Sequence, residues 1–253
     1  MDTQVIGQFI ELNNERFYRI ENVDPMPSFF ISMVSHSNHW LFVSSNTGLT
    51  AGRTSAKSAL FPYEAVDKIE DNAEHSGNKT IIRVKQDNQW ITWEPFNSLV
   101  IDPNNIQRNL YKHVLGHQVC FEEHHKTLNL TFKYTWQVSD EFGFVVKSEL
   151  SNHNNQHVDI EILDGLQNIL PAQTPLAVQT EASNLIDAYR SNELVCNTSL
   201  ASYSLYSGIT DKPEPVEVLR ANTVFQIGLD NVKTLLGSRQ VKAFRRGQTI
   251  QPE

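Results

Sequence analysis

Hydrophobic and polar residues alternate along many short segments of this chain, which is the pattern of half-buried β-strands. Clusters of Asn, Pro and Ser, which favour turns, separate these segments. Six such runs lie in the first hundred residues: 5–11, 16–20, 28–34, 39–45, 80–86 and 89–94. The last two flank Asp87-Asn88, a pair that predicts a tight hairpin.

The alternation is densest between residues 106 and 165, where the runs are long. Leu128, Leu130, Phe132 and Tyr134 recur at every second position, with polar residues between them. The predicted strands of this region are 107–115, 118–124, 127–138, 142–151 and 157–164. Consecutive long strands with no helices between them favour a large antiparallel sheet, and so an all-β sandwich.

Residues 175–194 are the main exception to the strand pattern. Their apolar positions are spaced three and four apart, which places them on one face of an amphipathic helix. Further strands are predicted at 200–208, 223–229 and 232–237, and a short basic helix at 239–246. No linker or repeat divides the chain, so a single domain spanning residues 1–253 is expected.

Composition and charge argue against two kinds of partner, nucleic acid and the membrane interior. The 253 residues carry a formal charge of −8, so the chain offers no global positive field for nucleic acid. Hydrophobic residues make up 40%, and no apolar run approaches the length of a membrane span. The N-terminus has no basic and apolar leader, so a soluble, cytoplasmic protein is expected. The sequence predicts neither a cofactor nor a metal site.

A possible sugar site lies in the segment from residue 35 to residue 53. His36, Asn38, His39 and Trp40 combine hydroxyl-pairing groups with an indole, as sugar sites do. The alternative is a polar turn leading into a strand whose Trp40 belongs to the core, and the residues alone favour it. Residues 44–53 predict a polar loop that could direct Arg53 toward a ligand. That loop lacks the consecutive Gly-Lys-Ser/Thr of a phosphate-binding motif.

Other reactive residues form no recognisable catalytic motif. His124 and His125 are adjacent, so a strand would direct them to opposite faces. The two cysteines, Cys120 and Cys196, are expected to be buried thiols. Four acidic residues could supply the two carboxylates of a glycosidase, but sequence spacing cannot place a pair across a sugar, and solvated charges on strand faces are the favoured interpretation: Glu122, Glu123, Glu161 and Asp164.

Several stretches nevertheless resemble a known family. They are residues 28–35, 39–53, 59–63, 67–69, 161–171, 219–224 and 243–247. Together they resemble the N-terminal region of bacterial cellobiose phosphorylases and of the phosphorylase modules of cyclic β-glucan synthases, in an uncharacterised branch. The resemblance extends over essentially the whole chain.

The resemblance implies a β super-sandwich of the galactose-mutarotase type, which in that family is joined to a catalytic (α/α)6 barrel. A chain of 253 residues is too short to include the barrel, so either a truncated stand-alone protein or a fragment lacking its last strands is expected. The implied function is a non-catalytic carbohydrate-binding accessory domain that packs on the barrel and shapes its sugar cleft. Its partners would be the barrel or a β-glucan oligosaccharide, and a homodimer is left open.

The residues expected to contact sugar or barrel are His36, Asn38, His39, Trp40, Asn46 and Arg53. Trp90 and Trp93 are an alternative platform, although their spacing sets them on opposite faces of a strand. Two other functions remain open. One is a stand-alone aldose 1-epimerase (mutarotase), which needs an imidazole and a carboxylate facing one sugar. The other is an assembly module that binds no ligand.

Overall fold

A computed structural model describes residues 4–100, 102–196, 198–210 and 216–250. Among these residues strands predominate and helices are few. In the described residues the strands are β1 (Ile6–Leu12), β2 (Glu15–Glu21), β3 (Phe30–Met33), β4 (His39–Ser44), β5 (Leu49–Arg53), β6 (Gly77–Gln86), β7 (Gln89–Trp93), β8 (Ile106–His113), β9 (Gln118–His125), β10 (Leu130–Ser139), β11 (Gly143–Asn152), β12 (Ile160–Gln167), β13 (Arg190–Leu194), β14 (Leu200–Leu205) and β15 (Asn222–Phe225). The α-helices are α1 (Leu176–Glu181), α2 (Ser183–Tyr189) and α3 (Arg239–Arg245), with 3-10 turns at Ala56–Ser58 and Val66–Asn72.

The largest sheet has six antiparallel strands in the order β1-β2-β8-β9-β10-β11. Three smaller antiparallel sheets accompany it, in the orders β12-β6-β7, β3-β4-β5 and β13-β14-β15. The predicted hairpin between β6 and β7 is confirmed: Asp87 and Asn88 both have the positive φ, 47° and 64°, that a tight two-residue turn requires.

The hydrophobic core lies between one face of the large sheet and the three small sheets. The large sheet contributes the alternating residues of β8, β9 and β10, including Phe121, Phe132 and the fully buried Trp136. Leu41 of β4 and Ile82 of β6 belong to the same cluster. Apolar faces of separate sheets therefore close on one another, and the all-β sandwich predicted from the sequence is confirmed.

Strand β5 lies where the sequence predicts a polar loop. Residues Leu49 to Gly52 are all buried, because β5 pairs with β4 and lies against residues 58–62. A Cβ on Gly52 would lie 2.6 Å from the Trp40 ring and 2.6 Å from the Ser58 carbonyl oxygen, so only glycine fits there. The small residues of this segment predicted a loop. In the structure their small size instead allows β5 to approach its neighbours closely.

The helical segment near 175–194 is interrupted. The backbone leaves the helical region at Ala182, with φ −138° and ψ 34°, so α1 and α2 are separate short helices. Of the predicted apolar face, Ile186 is buried, whereas Leu185 and Tyr189 are exposed. Residues 190–194 form β13, which pairs with β14. The strand expected at 232–237 does not form, while the helix expected at 239–246 does, as α3.

Across the described ranges, no helix combines the length and the apolar character that crossing a membrane requires.

Candidate functional site

The face of the six-stranded sheet opposite the core carries polar side chains in rows. Strand pairing fixes these rows, since directly paired residues direct their side chains to the same face. One row is Gln107, His124, Thr131 and Ser151, from β8, β9, β10 and β11 in turn. The next is Asn109, Glu122, Lys133 and Glu149. Four neighbouring strands thus present polar groups together.

Glu122 is the centre of the second row. Its Oε1 accepts hydrogen bonds from Asn109 Nδ2 at 2.8 Å and from the Tyr111 hydroxyl at 2.6 Å. Its Oε2 lies 2.8 Å from Lys133 Nζ. Burial opposes ionisation of Glu122, but the bonds from Lys133, Tyr111 and Asn109 outweigh it and lower the pKa of its carboxyl. Burial likewise opposes the charge of Lys133, and the bond to Glu122 raises its pKa. The two groups form a stable ion pair at neutral pH.

The first row contains a chain of three hydrogen-bonding side chains. Thr131 Oγ1 lies 3.0 Å from His124 Nδ1 and 2.9 Å from His153 Nε2, so the hydroxyl links the two imidazoles. The two rings have their centroids 5.8 Å apart. Burial, and then the nearby His153 and Lys126, lower the pKa of His124, which is therefore neutral at pH 7.

Together the two rows and His153 form an open groove with a volume of about 340 Å³, within the size range of small-molecule sites. Its lining is polar throughout: Gln107, Asn109, Glu122, His124, Thr131, Lys133, Glu149, Ser151 and His153. The groove offers carboxylates, amides, hydroxyls, imidazoles and an ammonium group, which can both donate and accept hydrogen bonds.

Glu123 lies beneath the groove, on the core face of β9. Its carboxylate is fully buried and accepts from Trp93 Nε1 at 2.7 Å, from the Phe96 amide at 2.6 Å and from Arg108 Nε at 2.7 Å. The expectation that Glu123 is a solvated strand-face charge is therefore wrong. Because successive strand residues face opposite ways, this network holds its neighbours Glu122 and His124 toward the groove.

The predicted sugar-site residues near the start of β4 lie at the opposite end of β10 and β11 from the groove. His36 Nε2 lies 2.9 Å from Asp140 Oδ2, and the His39 ring packs edge-on against Phe144. Arg53 pairs across the strands with His39. Asn38 occupies the turn before β4, with φ 62°. The rise along β10 separates this end from Thr131 by about 25 Å.

Trp40 and Asn46 do not join that group. Trp40 pairs with Gly52 on the other face of β4, where its ring packs against Phe42 and Tyr63. Its Nε1 is buried and has no hydrogen-bond partner. Asn46 lies in the turn beyond the other end of β4, where its Oδ1 accepts from the Ser44 hydroxyl. The structure therefore gathers His36, Asn38, His39 and Arg53, and separates the remaining two.

The structure also tests the predictions made for the two tryptophans of β7 and for the two cysteines. Trp93 is buried in the core and Trp90 is 40% exposed beneath the Arg83 guanidinium, so opposite faces are confirmed. The thiol expectation is correct for Cys120, which is buried, and wrong for Cys196, which is exposed.

The groove could not be predicted from sequence because its residues come from four strands and the residue after them, spread over nearly fifty positions. The usable signal was the polar half of the alternation in 106–153, which supplies every lining residue. Those positions become neighbours only through the register of the strands. Within the described residues, one group is arranged so that its side chains could share a metal ion, and it lies elsewhere on the same face: Glu15, His113 and His117.

A scan against protein-family models gives no match, and a search of curated proteins gives none either. The family resemblance noted in the sequence therefore stays a prediction.

Proposed function

We propose that this chain is a carbohydrate-binding domain that holds a neutral sugar in the groove and serves as the non-catalytic accessory domain of a glycoside phosphorylase- or hydrolase-like enzyme. The observation that carries the proposal is the pair of polar rows on the open sheet face. Sugar hydroxyls each donate one hydrogen bond and accept others, so they need a surface with both kinds of partner at close spacing. The groove has this composition.

Part of the groove is already internally bonded, and part is available. Glu122, Lys133 and Thr131 are held by the bonds described above. Among the described residues, the side chains of Gln107 and Ser151 have no hydrogen-bond partner. A ligand would therefore meet some groups that are already held in position and others that are unpaired. The groups already held in position reduce the entropic cost of binding.

The charge of the groove favours neutral over anionic sugars. Among the lining side chains, one ammonium group, Lys133, accompanies two carboxylates, Glu122 and Glu149, so these three charges sum to −1. A phosphate or carboxylate group on the ligand would be repelled. The groove residues within the described ranges include neither Trp nor Tyr, so hydrogen bonding rather than ring stacking would dominate recognition.

Titration with cellobiose and laminaribiose tests the proposal, with calorimetry and the imidazole C2-proton NMR signals of His124 and His153 as readouts. We expect saturable shifts of these signals in the millimolar range. Thr131→Val breaks the link between the imidazoles and should weaken binding about five- to tenfold, since a lost hydrogen bond is worth about 1–1.5 kcal/mol. Thr92→Val, on exposed β7, is the matched control. No shift with either sugar at 20 mM would refute the groove site.

The accessory role draws support from the segment between Val216 and Val232. Leu219 is 86% exposed and Ile227 is 82% exposed, and clustered exposed apolar side chains mark contact surfaces. Leu219→Ser combined with Ile227→Ser should raise the solubility of the isolated chain and leave sugar titrations unchanged. An unchanged solubility limit would count against a contact surface on this segment.

A mutarotase is the second candidate, because the groove holds imidazoles and carboxylates on one face. Such an enzyme needs a protonated acid and an available base. His124 is neutral and Glu122 is engaged with three donors, so the acid–base pair would have to be His153 and Glu149. Polarimetry with glucose and galactose separates the candidates. Acceleration of mutarotation by micromolar protein, lost in His153→Gln, would favour the enzyme over the binding domain.

A further inference from the structure

Two histidines and a glutamate meet at the far end of the sheet face that carries the groove. Glu15 begins β2, His113 ends β8, and His117 lies in the turn between β8 and β9. One potential ligand atom from each side chain lies within 4.8 Å of the other two. Gly116, with φ 79°, forms the turn that brings His117 back beside His113.

The surrounding contacts hold one ligand firmly and leave the others adjustable. His113 is buried, and its ring packs edge-on against Phe17 with centroids 5.0 Å apart. The centroid of the His117 ring lies 4.2 Å from the centroid of the His113 ring. His117 is half-buried and Glu15 is exposed, so both can move by the small amount that a shared ion would require.

A polar hydrogen donor already occupies the space between two of these groups. Gln118 Nε2 lies 3.4 Å from Glu15 Oε2 and 3.2 Å from His117 Nε2. The amide therefore donates toward a carboxylate oxygen and an imidazole nitrogen together. Glu15 Oε2 and His117 Nε2 therefore both face the position of the Gln118 amide nitrogen. A cation at that position would interact with both acceptors more strongly than the neutral amide does.

We propose that Glu15, His113 and His117 form a binding site for a divalent transition-metal ion of the zinc class. Two imidazoles and one carboxylate are a donor set typical of Zn²⁺, whose bonds of about 2.0–2.2 Å would draw the three side chains together. Water would complete the coordination, because Glu15 lies at the surface. The Gln118 amide would turn aside when the ion binds.

Binding has an identifiable cost at His113. The Leu115 amide donates to its Nδ1 at 3.1 Å, so coordination through Nε2 requires a proton on Nδ1 and loss of that bond. The turn from Val114 to His117 would therefore adjust on metal binding. The ion would connect the start of β2 with the β8–β9 turn, and this linkage is independent of the groove and of its proposed ligand.

Metal-free protein titrated with Zn²⁺ by calorimetry, and with Co²⁺ by visible absorption, tests the site. We expect one equivalent bound with micromolar affinity, Co²⁺ bands of four- or five-coordinate type, and a rise in Tm that EDTA reverses. His117→Gln and Glu15→Gln, both away from the core, should weaken Zn²⁺ binding at least tenfold. His157→Gln, an exposed histidine outside the group, is the matched control.

Gln118→Ala separates the proposed site from one in which the Gln118 side chain is itself a ligand. Removing the competing amide should leave Zn²⁺ affinity unchanged or increase it, whereas a site that used Gln118 as a ligand would weaken. Absence of Zn²⁺ binding at 100 μM would overturn the proposal. So would equal affinities for the wild type, His117→Gln and Glu15→Gln.

Discussion

Replacement of the buried Glu123 by leucine should be among the most damaging single changes in the large sheet. The substitution removes the acceptor of the Trp93 indole and of the Phe96 amide. It also removes the closest carboxylate to Arg108, whose side chain is 10% exposed. Arg108 keeps its bonds to the carbonyls of Asn97 and Val100. Asp24 Oδ1, 3.4 Å from Arg108 Nη1, also remains, but it is partly exposed, so Arg108 would lose its one fully buried counter-charge among the described residues.

The magnitude follows from these contacts. Each buried donor left unsatisfied costs about 1–3 kcal/mol, and breaking a buried ion pair from one side costs about 3–5 kcal/mol. These costs overlap, because the same carboxylate supplies all of them. We therefore expect Glu123→Leu to lower the free energy of unfolding by about 3–5 kcal/mol. Glu123→Gln retains an acceptor and should cost about 2 kcal/mol.

Urea denaturation at pH 7, followed by Trp fluorescence, measures both losses. Glu149→Gln is the control, since Glu149 pairs with Lys147 at the exposed surface and should cost less than about 1 kcal/mol. Adding Arg108→Met to Glu123→Leu removes the charge that has lost its buried partner, so the double variant should be less destabilised than the sum of the singles by about 1–3 kcal/mol. If Glu123→Leu cost no more than Glu149→Gln, the network would have no role in stability.

Two further predictions concern titration and thiol reactivity. The folded-state pKa of Glu122 is lowered, so its contribution to stability is present above the unfolded pKa of about 4.3 and is lost as pH falls through the folded value. The unfolding free energy of Glu122→Gln should therefore lack this loss at low pH. Equal pH profiles of stability for the wild type and Glu122→Gln would contradict the ion pair with Lys133. Burial raises the pKa of the Cys120 thiol to about 11, whereas Cys196 is exposed. In the native protein at pH 8, one thiol should therefore react quickly with a disulfide reagent, and in urea both thiols should do so. Two rapidly reacting thiols in the native protein would show that Cys120 is accessible.

The strands could be predicted where large apolar residues alternate with polar ones. β9 and β10 met this condition, and the structure has both. β5 did not, because the buried residues after Leu49 are small and its polar Thr50 donates to the Pro62 carbonyl. β13 lay within a segment of helical spacing, where pairing with β14 overrode the local pattern.

The candidate site was less predictable than the fold. His36, Asn38, His39 and Arg53 do lie together, because they flank the paired strands β4 and β5 and are close in sequence. Asn46 is equally close in sequence, but a strand of six residues carries it to the other end. The groove and the metal group depend instead on contacts between distant strands, and no sequence spacing encodes those contacts.

By itself, the sequence determined the strand-rich fold class, the Asp87-Asn88 hairpin and the alternation that separates a core face from a polar face. These follow from local backbone preference and from the two-residue period of a strand. Only the tertiary structure decided that Glu123 is buried while Glu122 and His124 face the groove. It alone placed Glu15 beside His113 and His117. The physical reason is that strand register, set by packing over the whole sheet, determines which side chains meet.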